Sequence, residues 1–123
     1  MAGPDSEFVI QQHSTPEGIH WDLMLQRGDV LWTWRMTISP EHINTACLPI
    51  ERIVDHPLRF LSYEGPVQNK TGQVKIADKG SYRLISEKTD SLCIDVQGKI
   101  LQRIFTLTRQ TEKFWILARQ DSV

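Results

Sequence analysis

The sequence has two cysteines only, Cys47 and Cys93, set far apart. That leaves no material for a disulfide framework or a cysteine-rich zinc site. It has no apolar run of about 18 residues, so no helix is expected to cross a bilayer and no membrane partner is read. Met1–Ser6 shows neither a basic start nor an apolar stretch, and no signal peptide is read there. There is no glycine-rich phosphate loop, and no serine sits in a nucleophile-elbow context. Neither sign of charge is in excess: 14 Lys plus Arg stand against 15 Asp plus Glu, a net −1. Any contact with nucleic acid must therefore come from a local patch. These absences suit a cytoplasmic, reducing location.

What is present fits one globular domain over residues 1–123, with 1–6 expected to be disordered. Apolar residues make up 40% and charged residues 24%, and a chain of this length buries roughly two-thirds of its unfolded surface without staples. Charge is unevenly placed. Residues 1–26 hold no Lys or Arg but carry Asp5, Glu7, Glu17 and Asp22, whereas residues 70–119 hold ten basic residues against five acids. An acidic first third suits a cation and a mildly basic second half suits a polyanion; a solvated surface is the plainer reading.

Hydrophobicity alternates with period 2 almost throughout, with no repeat or linker. Phe8, Ile10 and Gln12 alternate with Val9, Gln11 and His13; Trp21, Leu23 and Leu25 alternate with His20, Asp22 and Met24. Arg27-Gly28-Asp29 reads as a hairpin turn into a strand over Val30–Arg35. Later strands are expected near Gly72–Ala77, Ser81–Ser86, Leu92–Val96, Ile100–Leu107 and Phe114–Ala118. Asp78-Lys79-Gly80, Lys88–Asp90, Gln97-Gly98-Lys99 and Arg109–Glu112 are read as the turns between them. Ser39–Gly65, with Pro40, Pro49, Pro57 and nearby Pro66, reads as loops with short pieces. The expected fold is all-β: a compact antiparallel β-barrel of about eight strands with short loop or helical insertions.

The chemistry concentrates in Gln11–His13 and His20–Asp22. Alternation puts Gln11 and His13 on one face of their strand, and His20 with Asp22 on one face of the next, away from Trp21 and Leu23. A six-residue connection, Ser14–Ile19, holds Pro16 and Gly18 and can turn the chain back. His13, His20 and Asp22 would then stand together. Two imidazoles and a carboxylate suit Mn²⁺, Zn²⁺ or Fe²⁺. On the residues alone, polar groups on a solvated strand face remain the alternative. His56, between Asp55 and Pro57, can serve as a general acid or phosphate donor, or simply stabilise its loop. His42 reads as surface, the sequon Asn69-Lys70-Thr71 lacks a secretion signal, and most of Trp21, Trp32, Trp34 and Trp115 read as core.

These residues resemble a family. Phe8-Val9-Ile10-Gln11-Gln12-His13, followed by His20-Trp21-Asp22-Leu23-Met24-Leu25, is similar to the opening motif of the 3′-phosphoesterase domain of bacterial DNA ligase D. Leu31-Trp32-Thr33-Trp34 resembles its tryptophan-ending strand. Val54-Asp55-His56-Pro57-Leu58 with Tyr63-Glu64-Gly65 resembles its Asp-His-Pro-Leu segment, and Leu107-Thr108-Arg109 with Trp115-Ile116-Leu117 its closing strand pair. The resemblance implies a β-barrel whose groove holds a divalent metal, Mn²⁺ foremost and Zn²⁺ as the other candidate. It implies removal of 3′-phosphate or 3′-ribonucleotide from DNA or RNA ends in repair, with a separately encoded ligase or polymerase as partner. His13, His20 and Asp22 would be metal ligands, Gln11 their neighbour, and His56 the histidine on the scissile phosphate.

The phosphate side departs from that pattern. The first two histidines are seven apart where the family spaces them six, and Met24, Phe60, Ile38 and Leu48 fall where the family has arginine, tyrosine, lysine and arginine. Losing one donor aimed at transition-state charge costs roughly 3–4 kcal/mol. Turnover then needs another cation, from Arg35, Arg52, Arg59 or Arg103; Gln11, Arg35 and Arg59 are taken as the substrate-binding residues. The alternative is a catalytically impaired relative that binds DNA ends or a repair partner.

Overall fold

The structure, a computed structural model, describes residues 6–43 and 47–120. Of the stretch expected to be disordered, residues 1–5 lie outside the described residues, and Ser6 opens the first strand. The strands are β1 (Ser6–Thr15), β2 (Gly18–Arg27), β3 (Val30–Met36), β4 (Cys47–Pro57), β5 (Gly65–Val67), β6 (Gly72–Lys88), β7 (Ser91–Gly98), β8 (Gln102–Arg109) and β9 (Phe114–Arg119). All pairings are antiparallel, in the order β1-β2-β3-β4-β9-β8-β7-β6, and β6 returns to β1 to close a ring of eight. The three-residue β5 pairs with β6 outside that ring. This is the expected all-β barrel; its helical insertions are 3₁₀ turns at Pro40–His42 and Leu58–Leu61.

Period 2 explains the wall. Phe8, Ile10, Leu23, Leu25, Trp34 and Met36 point inward and join Ile94, Phe105, Leu107, Trp115 and Leu117 in the main core. A second apolar cluster lies on the outer side of the same strands: Val9, Met24 and Leu31, covered by Phe60 and Leu61. Gly28 and Asp29 make the two-residue hairpin between β2 and β3. Gly28 has φ +65°, the positive first position of a tight hairpin turn whose twist matches the flanking strands. The tryptophans behave as core: Trp34 and Trp115 are buried, and Trp21 and Trp32 pack against them from the edge.

Three expectations need correction. The Ser14–Ile19 connection is shorter than read: Ser14 pairs with Ile19 and Thr15 with Gly18, so only Pro16 and Glu17 form the turn. The Thr15 hydroxyl holds it, accepting from Glu17 N and donating to Gly18 O.

Ser39–Gly65 is not loop throughout, because it contains the 11-residue β4. Its prolines are tolerated because the strand divides its partners. β9 pairs with Cys47–Glu51 and β3 with Glu51–Pro57, so Pro49 has a neighbour on one side only among the described residues.

Asp78-Lys79-Gly80 is not a turn but the bend of a 17-residue strand. Ile10 pairs with Asp78 and Gln11 with Ile76, leaving Ala77 as a bulge. Gly80 is needed for close approach, since a Cβ there would collide with the Gln97 carbonyl. The buried Asp78 carboxylate accepts from the amides of Lys79, Lys99, Ile100 and Leu101, tying the β7–β8 turn to the bend.

Candidate metal centre

The outward-facing alternates of β1, β2 and β3 build the site. Gln11 pairs with Asp22 and His13 with His20 across β1–β2, and Asp22 pairs with Arg35 across β2–β3. Directly opposed side chains on one face of antiparallel strands lie about 4.5–5.5 Å apart at Cβ. Register alone therefore gathers these groups. His13 Nδ1 is 3.0 Å from His20 Nε2, His20 Nε2 is 3.5 Å from Asp22 Oδ2, and His13 Nδ1 is 4.0 Å from the same oxygen. The two imidazoles stand edge to face at 71°.

The environment is closed and short of partners. The side chains of His13 and Asp22 are 9% and 5% exposed. Asp22 Oδ1 has no hydrogen bond, and its nearest cation, Arg35 Nε, lies at 3.7 Å and is itself unbonded. That separation allows an ion pair but not a hydrogen bond. A buried carboxylate so poorly supplied with donors is costly unless a cation balances it. Burial pushes the His13 imidazole below its ordinary pKa; nearby His20 adds to this, Asp22 opposes it, and Arg35 and His56 add smaller positive fields. His13 is thereby kept neutral, the form that can ligate a metal. Donor atoms bound to one ion at about 2.0–2.2 Å stand about 3–3.5 Å apart, close to the spacings found. Among the described residues, His13, His20 and Asp22 form the group whose ligand atoms could hold an ion, all within 4.8 Å of one another.

The remaining predicted residues are placed differently. Gln11 is buried beside the triad, but its Nε2 donates to Phe60 O at 3.0 Å and Tyr63 O at 2.9 Å. It clamps the Leu58–Leu61 turn onto β1, a role its sequence position did not announce. His56 sits at the end of β4 with Nδ1 donating to Val54 O at 2.9 Å, which leaves Nε2 as the atom able to exchange a proton. Its ring packs edge-on against Phe60. The Arg59 guanidinium lies over the rings of Phe60 and Tyr63. No hydrogen bond or ion pair joins His56 or Arg59 to the triad among the described residues.

Among the other arginines, Arg52 is committed elsewhere: to Thr33 O, Ile53 O and Asp55, against Trp32 and Trp34. Arg103 lies with Pro40, Ile43 and Arg119 around a separate pocket. His42 is a surface residue bonded to Ser39. The apolar replacements are built into the packing: Met24 in the outer cluster, capped by Phe60, and Leu48 in the barrel core with Ile38 against it.

Multifunctional non-homologous end joining protein LigD of Mycobacterium bovis is 28% identical over 129 aligned positions, covering 97% of this chain and 16% of the relative. Multifunctional non-homologous end joining DNA repair protein LigD of Mycobacterium tuberculosis matches with the same identity and coverage. The chain thus spans about a sixth of the length of these relatives. A family model described as the DNA ligase D 3′-phosphoesterase domain matches residues 11–109, from the clamping glutamine to the end of β8. The chain belongs to the DNA ligase D 3′-phosphoesterase domain family.

Proposed function

We propose that this protein is a metal-dependent phosphoesterase that removes 3′-phosphate or a 3′-ribonucleotide from DNA or RNA ends in repair. The convergence of His13 Nδ1, His20 Nε2 and Asp22 Oδ2 on one outer patch of the barrel carries this reading. The three residues would hold a divalent ion, Mn²⁺ first and Zn²⁺ second, since mixed imidazole and carboxylate donors suit both. When bound, the ion would supply Lewis-acid polarisation of a phosphoryl oxygen.

The protein's own groups supply the rest. Arg35, half-exposed beside Asp22, is the cation nearest the triad and presents a guanidinium that can take a phosphate oxygen in place of the missing clamp arginine. His56 keeps its Nδ1 proton on Val54 O, so as an imidazolium it would carry a second proton on Nε2 to give to the leaving oxygen, returning to the neutral Nδ1–H form. Arg59, stacked on Phe60 and Tyr63, is held where it can contact the nucleic-acid backbone. Gln11 fixes the turn that bears Arg59 and the Phe60 ring against which His56 packs. The product, a free 3′-hydroxyl, is what a ligase or polymerase would use next.

Incubation with a primer-template ending in 3′-phosphate or one 3′-ribonucleotide, with and without Mn²⁺, tests the reading. Hydrolysis that needs the metal and is lost in His20→Ala and in His56→Ala supports it. Metal binding and DNA-end affinity without turnover would favour the second reading, a non-catalytic end-binding relative. The burial of Met24 and Phe60 at family phosphate-contact positions is the observation behind that alternative.

A further inference from the structure

We infer that Gln68, on the turn between β5 and β6, is a positioning residue for His13: its side-chain oxygen accepts the proton of His13 Nε2 and thereby fixes Nδ1 toward His20 and Asp22. The inference rests on the metal reading and extends it to a residue outside the triad.

His13 directs Nδ1 to the cluster. A neutral imidazole that offers Nδ1 as a ligand carries its proton on Nε2. That Nε2 is buried at the back of the site with no hydrogen-bond partner. Leaving such a buried donor unmatched is costly, and metal-bound histidines almost always give the second ring proton to an acceptor.

The acceptor is across a notch made by Gly72. A Cβ built on Gly72 would stand 2.9 Å from His13 Nε2 and 2.9 Å from Gln68 Oε1, with Val67 Cγ2 at 3.1 Å. Glycine leaves both groups beside its bare Cα, on the side that a Cβ would fill. Any side chain at this position would press on the ring. In the proposed bond, rotation of the Gln68 side chain brings Oε1 to Nε2.

The backbone holds Gln68 in position. Gln68, Asn69 and Lys70 have φ of +54°, +56° and +72°, three successive non-glycine residues in the left-handed region. Such residues are strained and persist where the surroundings over-determine them. Here the Thr71 amide and hydroxyl both donate to Gln68 O, and Val67 pairs with Gly72. The chain reverses within four residues and brings Gln68 over Gly72. An ordinary right-handed turn would not require this strain.

The test is calorimetric titration with Mn²⁺ alone, joined to ¹⁵N NMR of the metal-free imidazoles. Wild type should bind one ion and show His13 as the Nε2-protonated tautomer. Gln68→Ala should weaken Mn²⁺ binding by about 10–100-fold and let the His13 tautomers mix. Gln68→Glu, which keeps an acceptor oxygen, should restore both, which a loss through misfolding would not do. If wild type binds Mn²⁺ and Gln68→Ala matches it in affinity and tautomer, the inference is overturned while the metal reading stands. If wild type binds no Mn²⁺, the metal reading falls, and an unchanged tautomer in Gln68→Ala would remove the hydrogen bond as well.

Discussion

The two faces of β1–β3 differ in kind, though they alternate residue by residue along the same strands. The inner face is apolar: Phe8, Ile10, Leu23, Leu25, Trp34 and Met36 pack into the main core with Ile94, Phe105, Leu107, Trp115 and Leu117. The outer face begins in the same way, with Val9, Met24 and Leu31. It then turns into Gln11, His13, His20, Asp22 and Arg35, where His13, Asp22 and Arg35 each keep a buried polar atom without a partner. The inner face leaves the neutral indole N–H groups of Trp21 and Trp34 without partners, whereas the outer face leaves ionisable groups short of a cation and of donors. The first face makes the barrel; the second is where binding energy is still to be gained.

The comparison can be broken by substitutions on each side. Trp34→Ala should lose about 3–5 kcal/mol of unfolding free energy in urea titrations, with Mn²⁺ affinity unaltered in whatever fraction remains folded. His20→Ala should do the opposite, costing little stability and removing metal binding. A parallel loss of both properties in either variant would end the separation of roles.

Gln11→Ala lies between the two. It strips donors from Phe60 O and Tyr63 O, and an unmatched buried group costs about 1–3 kcal/mol. Because Arg59 lies in the clamped turn and the His56 ring packs on Phe60 of that turn, kcat should fall while Mn²⁺ affinity holds. Steady-state kinetics alongside calorimetry would show the split.

Arg35→Gln sharpens the electrostatics. Removing a half-exposed cation beside Asp22 should tighten Mn²⁺ by about fivefold at low salt, yet weaken binding of a 3′-phosphate end. Weaker binding of both would mean Arg35 supports the site rather than facing the substrate.

The smallest effect concerns pH. The folded His13 pKa lies below its unfolded value near 6.5. Between those two values the unfolded chain holds more protons, so stability rises with pH across that window. Metal-free protein should be fully stable above about 6.5 and lose this contribution as pH falls below it. His13→Gln should flatten that slope in melting curves taken at successive pH values.

The sequence showed one side of the comparison clearly. Period 2 put Gln11 and His13 on one face and His20 with Asp22 on the next, and tight antiparallel register did the rest. Three features escaped for physical reasons. Prolines hid β4, because a strand that splits its partners tolerates Pro49 where a central strand would not. The glycine at 80 resembled a turn but serves a close backbone crossing inside β6. The roles of Gln11 and of Gln68 with Gly72 come from contacts some 50 residues apart, which no local pattern encodes.

The most direct measurement is a Mn²⁺ titration of the wild-type chain beside Asp22→Ala, read by calorimetry and by melting temperature. The account predicts a single saturable ion in wild type, with stabilisation near 2.7 kcal/mol at about a hundred times the Kd, and neither signal in the variant. Absence of binding at millimolar Mn²⁺ and Zn²⁺ alike, or equal binding by Asp22→Ala, would contradict it.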